Sequence, residues 1–108
     1  MSRVVISEAA RVDRREITAY TVERFGIGQA RRLRDRFQAA LNSLAESPLI
    51  GRTNQELDPP GHTFRYSVVM KSFIIVCERT ADGIRVARLL HGARHLAAEL
   101  DRDAGDDD

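Results

Sequence analysis

Tryptophan is absent from this 108-residue chain, lysine occurs only as Lys71, and cysteine only as Cys77. A single cysteine excludes an internal disulfide. Flanked by Ile75 and Val76, it reads as a buried thiol that packs like a small hydrophobe. The longest unbroken apolar run, 73–77, is far shorter than the roughly 20 residues needed to cross a bilayer. The N-terminus, Met-Ser-Arg-Val-Val-Ile-Ser, has no apolar stretch behind a basic start. No secretory signal is therefore expected, and a cytoplasmic location is the simplest reading.

Several catalytic signatures are also missing. Neither the phosphate loop G-x-x-x-x-G-K-[ST] nor the dinucleotide motif G-x-G-x-x-G occurs. No Ser or Cys sits in a nucleophile elbow, and no pair of acids can be assigned to sugar hydrolysis. His91 and His95 are four residues apart, a metal-binding spacing if the segment were helical. Gly92 and the strand pattern before it argue against a helix, and neither His62 nor any Cys or carboxylate pattern completes a set. No metal and no cofactor is expected.

What the chain does have is arginine: sixteen of its seventeen bases. Residues 99–108 hold six acids against one base, a net charge of −5, which leaves +6 on the first 98 residues of a chain whose total is +1. Codon bias accounts for the arginine excess as readily as a binding surface does. A basic body nevertheless attracts acidic protein or nucleic acid, and the arginine fork suits bidentate contact with carboxylate or phosphate. The acidic end has no apolar residue larger than Ala104 over 101–108 and reads as a disordered tail. It is taken as a solubilising end in preference to a decoy for the basic body.

The apolar spacing predicts one domain over 1–98. A short strand covers Arg3–Ile6, and Ser7 is placed to cap a helix over Glu8–Phe25. That helix has a thin stripe: Ala10, Asp13, Ile17, Tyr20, Thr21 and Arg24 share one side. A second helix over 28–46 has a continuous one, Ala30, Leu33, Phe37, Ala40, Leu41 and Leu44. Ser47-Pro48 ends it. The three-residue link Gly26-Ile27-Gly28 favours an antiparallel helical hairpin. Residues 49–62, with Gly51, Pro59, Pro60 and Gly61, read as loop. Strands follow at 64–70, 73–78 and 84–91, joined by turns at Lys71-Ser72 and at Ala81-Asp82-Gly83. The middle strand is apolar throughout, as for a position covered on both faces. A further helical turn is placed at 96–100. The fold class is α+β in the order β-α-α-β-β-β, a helical hairpin packed on a small antiparallel sheet.

The segment 83–95 (Gly-Ile-Arg-Val-Ala-Arg-Leu-Leu-His-Gly-Ala-Arg-His) runs from strand into a basic turn. A basic protein can cleave RNA by surrounding a phosphate with Arg and Lys and moving protons with His, Glu or Tyr. Candidates are Arg65, Arg79, Arg85, Arg88, His91, Arg94 and His95. Strand parity places Arg85 and Arg88 on opposite faces, which argues against a single pocket using both.

The chain resembles the ParE toxins of type II toxin–antitoxin modules, within the RelE/ParE superfamily. The likeness covers about residues 3 to 97. It is carried by Ser7-Glu8-Ala9-Ala10 with Asp13, Ile17 and Tyr20; by Ala30 and Leu44; by Pro48-Leu49-Ile50-Gly51-Arg52; by Phe64-Arg65-Tyr66 and the strand over 73–78; and most specifically by Arg88-Leu89-Leu90-His91-Gly92-Ala93-Arg94. His95 stands where such toxins usually have an acid, Cys77 where an aromatic is common, and Arg14 where an apolar residue is frequent.

The resemblance implies a ParD-like antitoxin whose C-terminal segment wraps the toxin in a hetero-oligomer, and DNA gyrase as the target. It implies DNA contact only through the antitoxin, and the short apolar run leaves no membrane association expected. RelE-like members of the superfamily instead cleave mRNA on the ribosome and rely on a late tyrosine. The tyrosines here are Tyr20 and Tyr66. The expected target contacts are Arg65, Arg85, Arg88, His91, Arg94 and His95. Residues 11–36 hold eight Arg and four acids, and an acidic amphipathic segment could lie against them. The antitoxin is therefore expected at Arg14, Ile17, Tyr20, Arg24, Arg31 and Arg34. A RelE-type endonuclease and a non-toxic antitoxin-binding homologue are the alternatives.

Overall fold

Ser7 begins the helical layer of the computed structural model, which describes residues 3–47, 52–53 and 56–92. Its backbone is extended and its Oγ accepts the Ala10 N–H at 3.0 Å, the bond by which a serine cap satisfies a first-turn donor. Helix α1 spans Glu8–Phe25, as its spacing predicts, and ends at Gly26. The φ of 89° there is a region glycine enters without a Cβ penalty. Helix α2 spans Ile27–Glu46, so Gly26 alone links the two and the expected three-residue link is too long. Gly26 serves both ends: its N–H donates to Val22 O, and its carbonyl accepts from the Ala30 N–H. Ile27 and Gly28 are thereby free to join the second helix.

The strands are β1 (Arg3–Ile6), β2 (Arg65–Val69), β3 (Phe73–Thr80) and β4 (Gly83–His91), in sheet order β1-β4-β3-β2. The α+β class and the element order agree with the sequence. The sheet itself is mixed and not wholly antiparallel, because β1 runs parallel to β4. Apolar alternation gives which face a strand buries and carries no information about the sense of its partner. The parallel register starts with Arg3 N–H donating to Asp82 O and ends with Ser7 N–H donating to Val86 O. The two backbones come so close at its start that a Cβ on Gly83 would overlap the main chain of Arg3.

β4 outruns β1. Past Val86 its outer edge is met by side chains from the start of α1. Ser7 Oγ donates to Ala87 O at 2.8 Å, and Leu89 N–H donates to Asp13 Oδ2 at 3.0 Å. A strand edge that would otherwise be unpaired is thus satisfied by a helix.

Two apolar clusters sandwich the sheet. On the helical face, Ala10, Ile17, Leu33, Phe37, Leu41, Leu44 and Ala45 pack on Val69, Ile75, Cys77, Ile84, Val86 and Leu89. On the opposite face, Phe64, Tyr66, Val76, Ala87 and Leu90 cluster with Leu57 and Ile74. Residues 56–64 lie over that face, with Pro59 and Phe64 fully buried. The stretch read from sequence as plain loop therefore closes a second, smaller core. β3 is covered on both faces, as its apolar run suggests.

One irregularity changes the register of an arginine. Cys77 pairs with Val86 and Val76 pairs with Arg88, leaving Ala87 as an extra residue in β4. This β-bulge sets Arg85 opposite Glu78 and Arg88 opposite Val76, two residues of one face of β3. In register the two arginines thus share a parity that simple alternation does not give, but their side chains still part, Arg88 to Asp13 in α1 and Arg85 to Glu78 on β3. The expected turn at 96–100, the tail at 99–108 and the candidates Arg94 and His95 lie outside the described residues.

Candidate functional site

Arg88 leaves the sheet and grips α1. Its Nε donates to Asp13 Oδ2 at 2.6 Å and its Nη2 to Asp13 Oδ1 at 2.8 Å. The same Oδ2 takes the Leu89 N–H. The two side chains are 12% and 9% exposed, so this bidentate pair is internal. An isolated carboxylate at Asp13 would be costly there, and three donors answer it. Arg88, expected from sequence as a target contact, is a bolt between α1 and β4. The clue available in the sequence was Asp13 standing between Ala10 and Ile17 on the apolar side of its helix.

Arg85 lies across from Glu78, donating from Nη1 to Oε1 at 3.3 Å, while His62 Nδ1 stands 3.1 Å from the other oxygen, Oε2. On the same face the Tyr66 hydroxyl donates to Asp58 Oδ1 at 2.7 Å. Burial, then the Asp58 hydrogen bond, push its pKa well above the ordinary phenol range. Arg65 stands opposite Cys77 on the helical face. Burial pushes the Cys77 thiol up to about 11, with Arg65 pulling weakly the other way, which leaves a protonated and unreactive sulfur at neutral pH.

His91 is exposed at the end of β4. It stacks on Phe73 at 4.6 Å between centroids and meets the edge of Tyr20 at 5.4 Å; the Arg24 guanidinium sits 5.3 Å over Tyr20. These rings border a cleft of about 220 Å³ shared with Phe25, Leu33 and Met70. The structure thus joins His91, a target candidate, to Tyr20 and Arg24, two antitoxin candidates. It does not gather Arg65, Arg85, Arg88 and His91 into one pocket.

A concavity of about 400 Å³ lies between α1 and α2. Ile6, Leu33, Phe37, Leu41, Val86 and Leu89 line it from below. Arg14, Arg15, Arg34 and Gln38 supply exposed polar walls. Of the antitoxin candidates, Arg14 and Arg34 flank this groove and Arg31 is exposed on α2. Ile17 is 8% exposed and belongs mainly to the core. Arg15 was missed because a helix position next to Arg14 looks like ordinary solvated surface until the partner helix closes a groove beside it. At the hairpin tip Phe25 and Ile27 are 64% and 61% exposed, an apolar pair on either side of Gly26.

No group of three His, Cys, Asp or Glu that could hold a metal occurs among the described residues. No helix among them is long and apolar enough to cross a membrane.

Residues 4–96 match the family model described as ParE toxin of type II toxin-antitoxin system, parDE. No curated protein sequence matches. Among solved structures, one described as the chromosomal ParDE TA system from P. aeruginosa superposes with a TM-score of 0.69 at 17% identity, covering 86% of this chain and 98% of that one. At that identity the likeness is one of fold.

Proposed function

The chain belongs to the ParE family of toxins from type II toxin–antitoxin systems, and from that premise we propose that it inhibits DNA gyrase by binding and is neutralised by a ParD-like antitoxin seated between α1 and α2. The observation that carries the antitoxin half is the groove with an apolar floor and arginines along its sides. An amphipathic helix presents such a groove with an apolar face to fill the floor and acids to meet Arg14, Arg15 and Arg34. Complementary charge chiefly raises the rate of encounter. Replacing Arg14→Glu and Arg34→Glu together should weaken the antitoxin complex by about tenfold or more without unfolding the toxin, because both side chains are exposed. Unchanged affinity would remove the antitoxin from this groove.

A second reading has one observation in its favour. The bulge brings the backbone positions of Arg85 and Arg88 into register with Glu78 and Val76 on the face that carries Tyr66, the first step toward a cluster that RNA cleavage would require. Both guanidiniums, however, already meet carboxylates, and the Tyr66 hydroxyl is held by Asp58. Two assays on the purified toxin separate the readings: gyrase supercoiling, and mRNA cleavage on translating ribosomes. Blocked supercoiling with intact mRNA is expected. Cleaved mRNA with active gyrase would overturn the proposal, and neither effect beside tight antitoxin binding would identify a non-toxic homologue.

A further inference from the structure

We infer that the aromatic cleft at the end of β4, walled by Tyr20, Phe25, Met70 and His91 and rimmed by Arg24 and Lys71, is where the toxin holds its target. It takes one large apolar side chain of DNA gyrase that stands beside carboxylates. The inference rests on the reading of the chain as a gyrase inhibitor, and it places target and antitoxin on different surfaces.

The first observation is shape. Tyr20 and Phe25 come from the end of α1, Gln29 and Leu33 from the start of α2, and Met70 and His91 from the sheet side. The cleft holds about 220 Å³, roughly seven waters' share of liquid volume. That admits one bulky side chain and no helix. Interfaces draw most of their energy from a few such anchors buried in pockets. The groove between α1 and α2 is larger, about 400 Å³, and among the described residues shares only Leu33 with the cleft. Two concavities of different size and lining can therefore serve two partners.

Charge is the second observation. Among the described residues no Asp or Glu lines the cleft. The Arg24 guanidinium lies 5.3 Å over the Tyr20 ring, and Lys71 is exposed between two lining residues, Met70 and Ser72. Neither cation has a carboxylate within salt-bridge distance among the described residues. An apolar anchor that carries acids beside it meets both an apolar wall and two cations.

The third is backbone strain at the same rim. Met70 and Lys71 have φ values of 50° and 66°. The Ser72 N–H donates to Met70 O at 2.8 Å across Lys71, a three-residue turn of the rare, strained hand. Glycine adopts this backbone without a Cβ penalty, yet the chain keeps two large side chains there. Strain of this kind gathers where a ligand is held and persists only where the surroundings fix it. Here the Gly92 N–H donates to Ser72 O and ties the turn to the end of β4. The two strained residues contribute an adaptable thioether wall, Met70, and a cation, Lys71.

Two variants test this with purified gyrase, read by direct binding and by inhibition of supercoiling. Phe25→Ser removes a ring that is 64% exposed. It should weaken gyrase binding about tenfold or more, with antitoxin affinity and thermal unfolding unchanged. Lys71→Gly removes the cation from a backbone position that suits glycine. It should unfold at the same temperature or higher, bind gyrase about threefold more weakly, and lose part of the salt dependence of the parent toxin. Unchanged gyrase affinity in either variant would overturn the cleft as the target site and leave gyrase inhibition standing. Antitoxin affinity that falls along with gyrase affinity would give the cleft to the antitoxin and overturn the inference as well. A parent toxin that neither binds nor inhibits gyrase would overturn the functional reading, and this inference with it.

Discussion

The two helices of the hairpin are held by different physics. α2 buries Ala30, Leu33, Phe37, Leu41, Leu44 and Ala45 and has no side-chain cap at its start. α1 buries Ala10, Asp13, Ile17 and Thr21, begins on a serine cap, and leaves Val12, Tyr20, Val22 and Phe25 partly or largely exposed. α2 is fixed by apolar area, which is strong and non-directional. α1 is fixed by directed polar bonds to one strand, which set its position with little area. A helix seated this way keeps apolar and basic surface available, and α1 is accordingly the helix that walls both the groove and the aromatic cleft.

Substitutions can break that contrast. Asp13→Ala leaves Arg88 buried without its anion and should cost about 3–5 kcal/mol. Phe37→Ala in α2 should cost about the same through a cavity. A double-mutant cycle separates the mechanisms: Asp13 and Arg88 should couple strongly in denaturant unfolding, whereas Asp13 and Phe37 should be nearly additive. Additivity of Asp13 with Arg88 would refute the polar account of α1.

Alkaline pH probes the sheet on which both helices rest. The Cys77 thiol is raised from 9.0 to about 11 in the fold, so the unfolded chain ionises first and stability is lost as pH rises through that window. The loss should approach about 2–3 kcal/mol. Cys77→Ala should flatten the curve between pH 9 and 10, above which the raised Tyr66 phenol adds its own decline.

Ser7→Ala should cost about 1–2 kcal/mol, at the upper end for a cap, because Ser7 also donates to Ala87 O. A cost below about 0.5 kcal/mol would mean that the strand bond contributes nothing. The smallest effect belongs to the exposed tip. Phe25→Ser and Ile27→Ser should shift stability by less than about 0.5 kcal/mol in thermal unfolding, and a larger loss would show that the tip is part of the core.

The elements themselves were readable because their ends are punctuated. Ser7 and Gly26 bracket α1, Asp82-Gly83 marks the last turn, and the α2 stripe is unbroken. What sequence could not supply was pairwise and non-local. Nothing in β1 tells that its neighbour runs parallel, and nothing in 83–91 marks Ala87 as the inserted residue that shifts the register of Arg88. The partnership of Asp13 with Arg88 spans 75 positions. The second core was hidden because its lid is irregular chain with no period to read. For the site, single arginines could be named on their helix, but the groove belongs to two helices and a sheet together.

The helix that finishes the edge of β4 has a further consequence for how this protein meets copies of itself. An unpaired strand is a template for addition of another chain. Here, past Ile6, the template is occupied by Ser7 and Asp13. A strand invading that stretch of β4 would first have to displace the Asp13 carboxylate from the Leu89 N–H. Self-association through that stretch of β4 therefore carries an electrostatic toll at its first step, and the strand ends its pairing there by chemistry as well as by length.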